Sequence, residues 1–161
     1  GGAVALSHGR IVTILSAGDD SAKSFTVTGT DVNGDAQTES ITGANAGTAT
    51  GTSYFLTISG ISAVGNPAGN VSAGVNASAA DVIFAGRARL RGVGLTSTGT
   101  AGNIDFLNTS PVGTSIMKVS SVASATATRD LKIPHDGVLF TSGVYIQYTV
   151  STFLTLTAFH A

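Results

Sequence analysis

Cysteine and tryptophan are absent from this 161-residue chain, and methionine and glutamate occur once each. Without cysteine there is no disulfide and no thiolate metal site, and the redox compartment leaves no trace. Charge is scarce as well. Asp, Glu, Lys and Arg make up 11% of the residues, less than half of the roughly 25% usual in soluble domains. The net charge of −1 speaks against a nucleic-acid partner, which ordinarily calls for a basic domain, and there is no polyacidic tail. No apolar run approaches the ~18 residues of a membrane-spanning helix, so no membrane partner is expected, and no segment reads as a signal peptide. The chain opens on Gly1-Gly2 instead of Met, as a trimmed or incomplete terminus would.

Hydroxyls and small residues fill the gap, with 18 Ser, 22 Thr and 21 Gly, while 42% of the chain is apolar. That apolar share is enough for a core. Good helix formers are rare, and Thr, Val and Ile, which suit a pleated half-buried surface, are plentiful. A near-neutral surface with so few charges tends to associate. The charges are also divided by sign. Residues 1–81 carry Arg10 and Lys23 against six acidic groups, whereas residues 82–161 carry six basic groups against three acidic ones. Opposite-sign halves attract, within a chain or between subunits, and chance scatter of few charges is the ordinary alternative.

Short alternating runs bounded by Gly, Asn, Asp and Ser recur along the whole chain, and no helical apolar period is sustained. Strands are expected at Ile11–Leu15, Phe25–Thr30, Gln37–Thr42, Tyr54–Ile58 and Val71–Val75. Asp31-Val-Asn-Gly-Asp35 reads as a tight hairpin turn, Asn-Gly being a strong hairpin signal, and Gly43–Gly51 as a small-residue connector. Asp19-Asp20 reads as a turn with solvated carboxylates. Further strands are expected at Val82–Phe84, Arg87–Val93, Ile104–Leu107, Ile116–Val119, Leu131–Ile133, Val138–Phe140, Val144–Val150 and Phe153–Phe159. Turn signals at this spacing predict an all-β, antiparallel sandwich or jelly-roll-like fold, either continuous or as two small β domains. The small, polar stretch Asn76–Asp81 is the expected boundary. It divides an N-terminal arm (1–10) and a first β-sandwich module (11–76) from a second β module (77–161).

Catalytic constellations are missing. There is no Gly-x-Ser-x-Gly, no Walker loop and no dinucleotide fingerprint. His8, His135 and His160 lie in separate segments with no second ligand at metal spacing. An enzyme and a cofactor are therefore not expected. Asp31, Asn33 and Asp35, with Glu39 further on, resemble the start of a calcium loop, because oxygen ligands at alternate positions wrap a hard cation. The sixth and twelfth places of that pattern need Gly and Glu and hold Ala36 and Thr42. A hairpin turn is the better reading, and calcium the weaker.

Arg87, Arg89 and Arg91 fall on one face of a strand, since side chains alternate with period two. Three guanidinium groups in a row repel unless something neutralises them. An inter-subunit or inter-domain ion pair is the favoured reading, and these three are the interface candidates. A solvated edge strand, where charge blocks unwanted pairing, is the alternative. A phosphate backbone ranks last, for want of stacking aromatics.

Several stretches resemble virion proteins of tailed phages. The N-terminal module is similar to a small β module of such virions in Phe25-Thr-Val-Thr-Gly-Thr-Asp-Val-Asn-Gly34, Gln37-Thr-Glu39, Gly43-Ala-Asn-Ala-Gly-Thr-Ala-Thr50 and Tyr54-Phe55. Ile133-Pro-His-Asp-Gly-Val-Leu-Phe140 with Gly143-Val-Tyr-Ile146 resembles the C-terminal part of small structural proteins of marine-type tailed phages. The resemblance implies a virion component with no catalytic residues, and leaves head or tail open. The expectation is a capsid decoration, or cement, protein on the capsid exterior, with the major capsid protein as partner and a homotrimer as the first guess for three-fold positions. The rivals are a tail or fibre component, for which exposed aromatic platforms would speak although only Tyr54, Tyr145 and Tyr148 supply tyrosine and there is no Trp, and a secreted bacterial adhesion or surface-layer module with calcium at Asp31, Asn33 and Asp35.

Overall fold

Each alternating run has a strand at its place in the computed structural model, which describes residues 3–121 and 126–161. The strands are β1 (Val4–Ser16), β2 (Ser24–Thr30), β3 (Ala36–Thr42), β4 (Thr48–Ala63), β5 (Val71–Phe84), β6 (Ala88–Ser97), β7 (Gly102–Asn108), β8 (Thr114–Ser121), β9 (Thr128–Lys132), β10 (Val138–Phe140), β11 (Val144–Thr149) and β12 (Phe153–His160). The protein is all-β, with antiparallel sheets consistent with a β-sandwich. It divides into two compact units, Gly1–Asn76 and Ala77–Ala161.

In the first unit the strand order is β3-β2-β4-β1-β5. Long β4 changes partner along its length. Thr48–Ile58 pair with β1 (Ile14↔Ala49, Ile11↔Tyr54), and Thr57–Ala63 pair on the other side with β2 (Val27↔Ile61). Register shifts on β1 and between Thr28 and Gly29 bend the sheet, as an extra unpaired residue does. At Gly29 the approach is so close that a Cβ would stand 1.9 Å from the Thr57 carbonyl oxygen. The bend lets Val12 and Ile14 of β1, Phe25 and Val27 of β2, Ile41 of β3 and Phe55 of β4 meet in one core.

Two expectations change here. Residues 4–10, read as a terminal arm, form the first half of β1, with Val4 opposite Ile58 and Ala5 opposite Thr57. The wide register shift between Ala5 and Arg10 breaks the period-two pattern, which hides the strand from alternation. The connector 43–51 is likewise shorter than expected, because β4 already begins at Thr48.

Within the second unit, β5 continues past Ala77 and pairs with β11, then β7 and β8, while β6 is flanked by β12 on one side and by β10 and β9 on the other. Leu90, Val93 and Leu95 of β6 pack with Ile104 and Phe106 of β7, Phe140 of β10 and Val144 and Ile146 of β11. Two sheets thus share one core. The division between the units falls between Asn76 and Ala77, within the stretch Asn76–Asp81 read as the boundary, and β5 runs unbroken through it. Its small residues are used for close packing: Ala79 and Ala80 are fully buried opposite Tyr148 and Gln147.

Candidate functional site and interaction surfaces

The 31–35 loop shows how local chemistry shapes a turn. Thr30 pairs with Ala36, and Gly34 N–H donates to the Asp31 carbonyl at 3.1 Å. Val32 and Asn33 are therefore the central turn residues. Gly34 follows at φ +89°, a region open to glycine at little cost. The hairpin thus has a five-residue loop, wider than the tight Asn-Gly turn expected, because the Asp31 side chain organises it. Its Oδ1 accepts the Asn33 N–H at 2.8 Å and the Asp35 N–H at 3.0 Å, and its Oδ2 accepts from Asn33 Nδ2 at 3.3 Å. Both oxygens of the proposed first calcium ligand are aimed at N–H donors.

Glu39, the one glutamate, points elsewhere. Its Oε1 accepts from Thr52 N (2.6 Å) and Thr52 Oγ1 (2.9 Å), and its Oε2 from Ser53 N (3.3 Å). Next to it Gln37 Nε2 donates to the Tyr54 carbonyl at 2.9 Å. These two β3 side chains bind the backbone of β4 on the stretch before β4 takes up pairing with β2. Among the described residues there is no cluster of three or more His, Cys, Asp or Glu able to hold a metal.

The turn at 17–20 corrects the reading of Asp19-Asp20 as two solvated carboxylates. Asp19 is solvated, and the Ser21 hydroxyl, at 2.6 Å, and then the Ser21 N–H hold its carboxyl below the usual aspartate range. Asp20 is fully buried. Its Oδ1 accepts the Ala68 N–H at 2.7 Å, while Oδ2 has no hydrogen-bond partner among the described residues. That contact comes from 48 residues downstream, so no local pattern announced it.

Two of the three arginines lie on the strand, whereas Arg87, expected on it, falls in the bend before β6, which begins at Ala88. Ala88 and Leu90 of β6 are buried, whereas Arg87 and Arg91 are exposed and Arg89 half-exposed. Within this unit Lys118 Nζ lies 3.3 Å from Asp105 Oδ1. Among the described residues no ion pair is seen for Arg87, Arg89 or Arg91.

No family model matches this chain, and neither a curated protein nor a solved structure is similar to it.

The three tyrosines do not form exposed platforms of the kind a tail adaptor would use. Tyr54 and Tyr145 are buried, and Tyr148 donates its hydroxyl to Asp81 Oδ2 at 2.9 Å while meeting Phe153 edge-on. The histidines do not converge either. His135 sits in the 134–137 turn at φ 58°, and His160 lies against the Phe84 ring at 4.8 Å.

An aliphatic cavity of ≈ 480 Å³ in the first unit went unnoticed in the sequence. It is open, and it is lined by Val4, Leu6, Val12, Ile58, Ile61 and Val75. The alternation Val4-x-Leu6 was its one local signal. Such apolar surface left open to water marks an interaction site more often than an exposed residue standing alone.

Proposed function

We propose that this chain is a capsid decoration protein of a tailed phage, which binds the outside of the head shell and bridges neighbouring shell subunits. The observation that carries the reading is that each unit, taken by itself, keeps large apolar strand side chains in water while carrying few charges. Val4 is 50% exposed, Leu154 63% and Phe159 58%. Covering such a surface costs little desolvation, because hydroxyls and methyls dominate it, and each Å² of apolar area removed from water stabilises by about 25 cal/mol. Weak single contacts repeated over a symmetric shell then add up through multivalency. The resemblance of Phe25–Gly34 and Ile133–Phe140 to phage virion segments supports the same reading. Arg89 and Arg91 of β6, with Arg87 just before it, supply a cationic contact for an acidic patch of the major capsid protein. The chemistry is burial and pairing, with no catalytic step.

Two measurements test it. Quantifying the protein in purified virions is expected to give hundreds of copies; a dozen or fewer would place it on the tail. Charge reversal of Arg87, Arg89 and Arg91 to Glu together is expected to weaken binding to empty shells at least tenfold. Unchanged binding removes the arginines from the interface.

A further inference from the structure

Exposed sheet edges invite other strands, and proteins usually blunt them with charge, proline or shortness. Most of the edges described here are blunted in that way. β3 carries Glu39, β8 carries Lys118, β9 carries Arg129, Asp130 and Lys132, and β10 is only three residues long. β12 is different. Its eight residues, Phe-Leu-Thr-Leu-Thr-Ala-Phe-His, hold no Lys, Arg, Asp, Glu, Pro or Gly. On one side it pairs with β6 over Phe153–His160, and no other described strand pairs with its second side.

The two faces of β12 are sorted. Phe153, Leu156 and Ala158 pack toward the core of the second unit. A register shift between Phe153 and Thr155 inserts Leu154 as an extra residue, so Leu154 and Thr155 both turn outward, with Thr157 and Phe159. On β6 the residues opposite Thr157 and Phe159 are Gly94 and Gly92, which offer no side chain to pack against. The Phe159 ring lies against the bare backbone of Gly92, where a Cβ would stand 3.4 Å from its Cδ2, and its outer face stays open to water.

We infer that the free edge of β12 pairs antiparallel with β12 of a second copy of this chain, about a two-fold axis through Thr157. Directly opposite residues of an antiparallel pair point to the same face. With Thr157 opposite itself, Leu156 stands opposite the partner's Ala158, which continues the inward apolar row across the junction. Thr155, with Leu154 beside it in the bulge, stands opposite the partner's Phe159, so the most exposed apolar groups of each strand meet in two symmetry-related places. Nothing charged faces anything. The occupant is a strand because unpaired N–H and C=O groups ask for one, and it is a second copy because this register is self-complementary. The contact is isologous and closes at two copies. It draws on Leu154 and Phe159, which the capsid reading also uses, but mass in solution tests it separately from shell binding.

The test is the mass in solution of the full chain at tens of micromolar, by sedimentation equilibrium, for the parent, Thr157→Lys and Thr157→Glu. Circular dichroism and melting of each variant confirm that the exposed substitution leaves the fold intact. The parent is expected to be dimeric. Each variant alone is expected to dissociate, with Kd raised at least a hundredfold, because two like charges then face each other at the axis. An equimolar mixture of the two is expected to regain the dimer. A monomeric or trimeric parent overturns the inference, and so does a Thr157→Lys variant that dimerises as tightly as the parent. Folded variants that fail to recombine overturn the Thr157 register.

Discussion

Replacing Glu39 tests whether one carboxylate substitutes for a missing strand neighbour. Three donors converge on it: Thr52 N at 2.6 Å, Thr52 Oγ1 at 2.9 Å and Ser53 N at 3.3 Å. A hydrogen bond to a charged group contributes about 1.5–3 kcal/mol net, but these donors are partly exposed and water replaces much of what is lost. Glu39→Ala is therefore expected to cost about 2 kcal/mol, far less than the sum of three buried bonds. Glu39→Gln keeps one oxygen for the Thr52 donors and turns an amide N–H₂ toward the Ser53 N–H, donor against donor, so about 1 kcal/mol is expected. Thr52→Val removes only the hydroxyl donor. Urea unfolding followed by circular dichroism measures all three, and the double variant Glu39→Ala/Thr52→Val gives the coupling. The hydroxyl's share is expected to vanish in the Glu39→Ala background, a coupling of at least about 0.5 kcal/mol, since residues in one network are not additive. If the effects add, or if Glu39→Ala costs under about 0.5 kcal/mol, the carboxylate does not hold β4.

Four further outcomes are expected. Gly34→Val should cost roughly 1 kcal/mol in a denaturant titration, and all of it is backbone strain at φ +89°, because nothing lies within 4 Å of the added Cβ. Gly29→Ala should cost more, about 3 kcal/mol, since its Cβ would press on a carbonyl oxygen at 1.9 Å and two strands would have to part. Asp31→Ala should cost about 1 kcal/mol, the size of a lost cap, and equally with and without millimolar calcium; a calcium-dependent melting shift abolished by the substitution would reinstate the cation. Asp19 should titrate by carbon-13 NMR below the usual aspartate range, and Ser21→Ala should move it up. A depressed value means that this interaction stabilises at pH above the ordinary range and is lost as pH falls through the lowered value.

Much of the fold was legible because strands and turns write themselves locally. The runs at Phe25–Thr30 and Val144–Val150 alternate so plainly that they became β2 and β11 within a residue or so. Leu90 and Ala88 could be assigned inward, and the arginines between them outward, from parity alone. Parity failed where the backbone shifts register. Phe153, Leu154, Leu156 and Phe159 looked like one apolar set, yet the bulge at Leu154 turns Leu154 to water, and alternation counted from Leu156 puts Phe159 there as well. The same effect hid residues 4–10 inside β1.

By itself the sequence determined an all-β chain without disulfides or helices of consequence, where its turns fall, and that its surface is poor in charge. Those properties depend on composition and on neighbours one to four residues apart. Tertiary structure alone decided that Asp20 is buried, that Glu39 serves β4 and not the 31–35 loop, that six aliphatic side chains line an open cavity, and that β12 ends a sheet with an unguarded edge. Each of these joins residues brought together from different strands, and such contacts arise only when the sheets bend and close on their cores.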